Sequence, residues 1–209
     1  GYFYTDFSDL QISVLTGIGT TFFVDNAASA TTHGVEWETR FVPIEGGLMT
    51  FSGAWLSAYY DDFETGPCMA ERNPAALLLD AVNDPGFCDL SGERLVRAPK
   101  WEISATYTQV IPLYWGIGLL AGFDMNYQSS HFTDIDLDPG TFQDGYVLLN
   151  ARLGLVDTDY QRWVLVLNGK NMLDELVIGG ATDAPLQGGT FFGILAPGRF
   201  YTLELRLTL

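Results

Sequence analysis

Tyr201-Thr202-Leu203-Glu204-Leu205-Arg206-Leu207-Thr208-Leu209 alternates strictly between apolar and polar residues. In an extended chain successive side chains point to opposite faces. Tyr201, Leu203, Leu205, Leu207 and Leu209 then share one face, and Thr202, Glu204, Arg206 and Thr208 share the other. A helix would scatter the same residues around its axis. The stretch reads as a β-strand with one apolar side and one charged side.

The pattern recurs upstream. Val147, Leu149, Ala151, Leu153 and Leu155 oppose Leu148, Asn150, Arg152 and Gly154. Trp163, Leu165 and Leu167 oppose Val164, Val166, Asn168 and Lys170, and the alternation runs through Asn168-Gly169 without the break a hairpin would need. Trp101, Ile103, Ala105 and Tyr107 oppose Glu102, Ser104, Thr106 and Thr108. The run Trp115 to Tyr127, with Asp124 on its polar side, behaves in the same way, as do Val35 to Phe41 and Met49 to Trp55. Tyr2 to Ile12 is strand-like with less distinct faces.

The sequence thus predicts about eight strands, many of roughly ten residues or more, the length a tilted strand needs to cross a bilayer. Strands of soluble sandwiches average roughly 5–6 residues. Trp101, Trp115, Trp163, Tyr59 and Tyr127 fall near strand ends, where membrane barrels carry aromatic girdles. The expectation is an all-β, antiparallel transmembrane β-barrel segment, in preference to a soluble sandwich. On that reading Glu36, Glu38, Arg40, Glu102, Asp124, Arg152, Lys170, Glu204 and Arg206 form a lumen-facing polar wall, in contact with water, with whatever fills the lumen, or with one another.

Composition agrees. Of 209 residues, 47% are hydrophobic, 14% aromatic and only 17% charged, below the roughly 25% charged residues of soluble domains. A net charge of −16 with 10 basic residues excludes a nucleic-acid binder, which needs clustered Lys and Arg. No run approaches the roughly 18 apolar residues of a membrane helix. Gly1-Tyr2-Phe3-Tyr4 has no charged or apolar leader character, so the chain reads as a mature or truncated piece. Connections alternate between short turns (Pro43 to Gly47, Ile111-Pro112, Asp157 to Asp159) and long loops (Asp61 to Arg97, His131 to Asp144, Glu175 to Gly198). An outer-membrane barrel has that layout.

Several segments resemble the TonB-dependent receptors. Tyr4-Thr5-Asp6-Phe7-Ser8-Asp9-Leu10-Gln11 is similar to that family's aromatic-acidic strand. Gly34-Val35-Glu36 after Asn26-Ala27, Ala98-Pro99-Lys100-Trp101, Asn168 to Glu175, and Ala196-Pro197-Gly198-Arg199 before the last strand follow in the family's order. The resemblance covers nearly the whole chain. It implies that residues 1–209 are the C-terminal part of a barrel of about 22 strands around a plug. It further implies a bacterial outer-membrane receptor for energy-coupled uptake of a siderophore, cofactor or oligosaccharide. The partners would be outer-membrane lipid, the plug and remaining strands, and a TonB-type inner-membrane energy-coupling protein. The alternative is a self-contained, small eight-stranded outer-membrane barrel with a structural or adhesion role.

Further expectations concern the loops. Cys68 and Cys88, the only cysteines, should form a disulfide, since the outer membrane faces an oxidising compartment; a metal site would need more ligands. Asn73 to Val82 reads as a short helix, with Asn73 as N-cap and Pro74 at the first turn. Its Leu77 and Leu78 either pack on neighbouring loops or meet a substrate or partner. Gly179 to Gly193, with Phe191 and Phe192, fits a mobile lid over a substrate mouth or a passive surface loop. Asp134, Asp136 and Asp138 hint at calcium, but no EF-hand spacing follows, and neither a metal nor a cofactor is expected. No nucleophile elbow, phosphate loop or Ser-His-Asp set is present, so no enzyme is expected.

Overall fold

The computed structural model describes residues 1–15, 22–69, 87–184, 187 and 189–208. The expected helix at residues 73–82, with Leu77 and Leu78, lies outside them.

The long strands are β1 Tyr2–Leu15, β2 Phe22–Phe41, β3 Gly47–Asp62, β4 Trp101–Pro112, β5 Ile117–Gln128, β6 Tyr146–Asp157, β7 Trp163–Lys170 and β8 Phe200–Leu207. They form one eight-stranded sheet in sequence order. Every neighbouring pair is antiparallel, the pairing that short hairpin connections permit. β7 passes through Asn168-Gly169 and pairs with β8 from Trp163↔Leu207 to Lys170↔Phe200. β1 carries register shifts around Phe7 to Gln11, with Asp9 at a φ of 55°; such bulges bend a strand and blur its two faces.

One end of the sheet has tight turns. Between β4 and β5, Trp115 and Gly116 both take positive φ, 62° and 68°, which matches the twist of the flanking strands. Trp115 therefore sits in the turn and not in the strand predicted for it, and it is 94% exposed. Between β6 and β7 the Asp157 carboxylate accepts the backbone N–H groups of Asp159, Tyr160 and Arg162, a side-chain substitute for backbone turn bonds. At the other end the long connections carry hairpins of their own: Gly66–Pro67 with Phe87–Cys88, His131–Phe132 with Phe142–Gln143, and Ile178–Asp183 with Phe191–Leu195.

The buried apolar cluster lies among these long connections. Ile12, Ala28 and Ala30 of the β1–β2 hairpin meet Tyr60, Phe63, Leu90 and Leu137, with Phe132 and Ile135 packed alongside. The apolar face of β8 is bare: Leu203 is 71% exposed, Leu205 60% and Leu207 66%. A sandwich would cover such a face with a second sheet about 10 Å away. Among the described residues no sheet covers it.

Candidate functional site

Strand register decides which side chains share a face. The pairs Glu36↔Ala54, Ala54↔Glu102 and Glu102↔Gln128 form one row across β2 to β5. The next row contains Glu38, Ser52, Ser104 and Asn126, and the one after it Arg40, Thr50, Thr106, Asp124 and Asn150. Gly122↔Arg152, Arg152↔Asn168 and Asn168↔Thr202 extend the same face to β7 and β8, where Lys170 on β7 and Glu204 and Arg206 on β8 follow by alternation. All nine charged residues read from the sequence thus share one face. The opposite face carries Trp37, Phe51, Trp55, Trp101, Leu149, Leu165 and Leu205 by the same register.

The polar face is knit by its own contacts. Arg152 Nη2 donates to Thr108 Oγ1 at 2.9 Å and meets Asp124 Oδ1 at 3.2 Å. Gly122 makes room for this: a Cβ there would lie 2.6 Å from the Tyr107 carbonyl and 2.8 Å from Arg152 Nε. Arg206 pairs with Glu204 at 2.8 Å, and Gln128 Nε2 donates to Glu102 Oε1 at 2.7 Å. Glu36, Glu38 and Glu102 instead border a concavity of about 500 Å³ together with Ser104, Asn126 and Gln128. Among the described residues these three carboxylates have no ion-pair partner. The surface gathers three carboxylates and neutral hydrogen-bonding side chains there, and paired charges further along.

At the long-loop end, Cys68 and Cys88 are joined as a disulfide, with Cα atoms 5.1 Å apart. The Ile178–Leu195 segment is a hairpin seated on the loop between β5 and β6. Ala181 N donates to Thr133 Oγ1 at 3.1 Å, and Ile178 N donates to Gln143 Oε1 at 2.6 Å. The Phe191 ring lies against Gly140, where a Cβ would overlap it. Phe191 is thus an anchor between loops, whereas Phe192 is 59% exposed on the other side of the hairpin.

Asp136, Asp138 and Asp183 offer carboxylate oxygens within 4.8 Å of one another. Asp134 is not in that group. Asp136 and Asp138 are 6% and 5% exposed, and Asp183 Oδ1 is sheltered without a hydrogen-bond partner. Burial first, then the hydrogen bond with Asp183 and the charges of Asp134 and Asp183, push Asp136 up to about 8. The donor type and spacing suit either a shared proton or a hard cation. The sequence pattern could not supply Asp183, which arrives from a different loop.

Asn171, inside the Asn168 to Glu175 motif, holds a structural position that local alternation does not reveal. It takes a φ of 47° and is 5% exposed. Its N–H donates to Asn150 Oδ1, its Oδ1 accepts from Glu175 N, and its Nδ2 donates to the carbonyls of Glu175 and Pro197. One residue ties β6, through its backbone N–H, to both ends of the loop between β7 and β8, through its side chain.

A sheet of long antiparallel strands, polar on one face and apolar on the other, with tight turns at one end and long loops at the other, defines the wall of a membrane β-barrel. The family model described as TonB dependent receptor-like, beta-barrel matches residues 1–172, and the chain belongs to the TonB-dependent receptor family. Solved structures agree on the fold. The ferric yersiniabactin uptake receptor FyuA of Yersinia pestis superposes with a TM-score of 0.72 at 20% identity, over 99% of this chain and 26% of FyuA. The siderophore receptor PiuA of Acinetobacter baumannii gives 0.66 at 16% identity, over 98% of this chain and 25% of PiuA. BauA, the ferric preacinetobactin receptor of the same species, gives 0.62 at 13% identity, over 98% of this chain and 26% of BauA. The chain therefore spans about a quarter of the length of these receptors. No curated protein sequence matches it. The family consists of receptors and transporters, and its members are outer-membrane barrels.

Proposed function

We propose that this chain is a stretch of wall in an outer-membrane receptor that takes up a scarce nutrient with energy supplied through a TonB-type inner-membrane protein. The observation that carries the proposal is the two-faced sheet in a chain matched by the family model over residues 1–172. Leu203, Leu205 and Leu207, exposed in the sheet, face lipid, where an uncovered apolar surface is no liability. Glu36, Glu38 and Glu102 face the lumen and meet the plug or a substrate, while Arg152–Asp124 and Arg206–Glu204 keep other lumen charges satisfied. Phe192, exposed on the hairpin, contributes contacts at the mouth.

A self-contained eight-stranded barrel would require β1 and β8 to hydrogen-bond. They are the two outer edges of the sheet, and among the described residues they do not pair, which favours a larger barrel. Ferric siderophores, the cargo class of the receptors named above, are the first substrates to test. A strain lacking the full-length gene should lose uptake of a labelled ferric siderophore. In the complemented strain, uptake should stop when the proton gradient is collapsed. Uptake indifferent to both manipulations would contradict the proposal for that cargo.

A further inference from the structure

Two long loops bring three carboxylates to one place. The loop between β5 and β6 supplies Asp136 and Asp138, and the hairpin between β7 and β8 supplies Asp183; one oxygen from each lies within 4.8 Å of the other two. The meeting is fixed by contacts outside the group. Ala181 N donates to Thr133 Oγ1 and Ile178 N to Gln143 Oε1, which ties the strand ending at Asp183 onto the loop that carries the other two acids. Phe191, paired across the hairpin from Asp183, packs on Gly140, and Gly140 N donates to Asp138 Oδ1 at 2.6 Å. The approach of Asp183 to Asp136 is thus built into the seating of the hairpin.

Burial makes that approach costly. Asp136 is 6% exposed and Asp138 5%. Asp136 Oδ1 takes a backbone N–H from Asp138 at 3.2 Å, a contact internal to the group. Among the described residues neither Asp136 nor Asp183 forms an ion pair, and Asp183 Oδ1, shut off from solvent, accepts no hydrogen bond. Arg97 reaches this hairpin, but its Nε donates to the Thr133 carbonyl at 3.1 Å and its Nη2 lies beside Gly180. Carboxylates withdrawn from water need a positive partner or a proton. A hard cation would supply to Asp136 and to Asp183 Oδ1 the charge that no described side chain brings them.

The geometry points to a calcium site, with Asp136 and Asp138 from one loop and Asp183 from the other as ligands, that staples the β7–β8 hairpin to the β5–β6 loop. Calcium holds oxygens at roughly 2.3–2.6 Å, so two of its ligands can stand up to roughly 5 Å apart, and the 4.8 Å spread fits. Magnesium, at roughly 2.0–2.1 Å, needs a tighter octahedral set. Asp183 is partly exposed, which lets water complete the shell. Asp134 is outside the set, its Oδ1 accepting Ile135 N at 2.8 Å. The site concerns how the loops are held and does not depend on the cargo or energy coupling proposed above.

The test uses the full-length protein in non-ionic detergent at neutral pH, stripped with chelator and then titrated with calcium chloride. Bound calcium is read by equilibrium dialysis, and amide exchange is followed at Ile178 and Ala181. Calcium should bind saturably to the wild type and slow exchange at both amides. Asp183→Asn should weaken that binding roughly tenfold or more, since a charged ligand is lost, and calcium should then no longer slow the exchange. Asp134→Asn should leave both readouts as in the wild type; an equal loss there would make the effect one of general loop charge and overturn the site. Exchange in the wild type that is the same in calcium and in chelator would overturn the inference whatever the variants do, and would leave the three acids sharing a proton.

Discussion

At the scale of single residues, two positions show how the sheet and its loops constrain one another. Gly122 is glycine because Arg152 crosses it to reach Thr108 and Asp124; Nη2 makes both contacts only if the neighbouring strand offers no side chain. Asp136 shows the opposite economy, an acid buried beside acids. Its carboxyl is pushed from 3.8 up to about 8, so the seated loops hold a proton that released loops surrender above about pH 4. Proton binding therefore favours the seated state. The contribution is fully present below about pH 4 and is lost progressively as pH rises to about 8. Amide exchange at Ile178 and Ala181, whose N–H groups bond across to Gln143 and Thr133, should accelerate over that range in chelator beyond the intrinsic base-catalysed rise. Asp136→Asn should flatten the excess. An excess that persists in Asp136→Asn would assign the pH dependence to another group.

At the scale of elements, each strand is specified by period-two alternation and fixed in register by its turns. Arginine introduced at Leu149, Leu165 or Leu205, which share the apolar face, should destabilise the folded barrel by ~2–4 kcal/mol. The same substitution at Ser104, Asn150 or Thr202 should cost much less. A denaturant titration of the reconstituted full-length protein in which both sets respond alike would reverse the assignment of faces. Asn171→Ala removes hydrogen bonds to Asn171 side-chain atoms from Glu175 and to Pro197, and should cost ~1–3 kcal/mol of folding stability while loosening the β7–β8 loop toward proteolysis. An unchanged cleavage rate would mean that the loop is held elsewhere. These elements also mark how far the sequence could be read. Strand identity and facing were legible because alternation is local and uninterrupted in β4 to β8. The first half of β2 was not, because Ala27 to Thr32 offers small residues with little contrast between faces. Trp115 reads as strand by period, yet the adjoining Gly116 permits a tight turn. The loop cluster was illegible for a different reason: Thr133 and Ala181 are 48 positions apart, and nothing in a local pattern says which loops will meet.

At the scale of the whole molecule, the chain spans about a quarter of the length of the receptors it superposes on, and among the described residues the two outer edges of its sheet do not pair with each other. The disulfide, the apolar loop cluster and the hairpin seated through Thr133 and Gln143 gather the long connections at one end of the sheet. The turns at the other end stay short. On the proposed function, the long loops would recognise cargo and the short turns would face the energy-coupling protein. The polar face suits a filled lumen: Arg40, Arg152 and Arg206 stand among Glu36, Glu38, Glu102 and Glu204, whereas a pore selective for one ion sign would show one sign of charge. The most direct measurement is the steady conductance of the full-length protein in a planar bilayer. A wall closed around a plug predicts almost no constant current at modest voltage. Large, stable channel currents from the intact protein would show an open lumen and contradict the account.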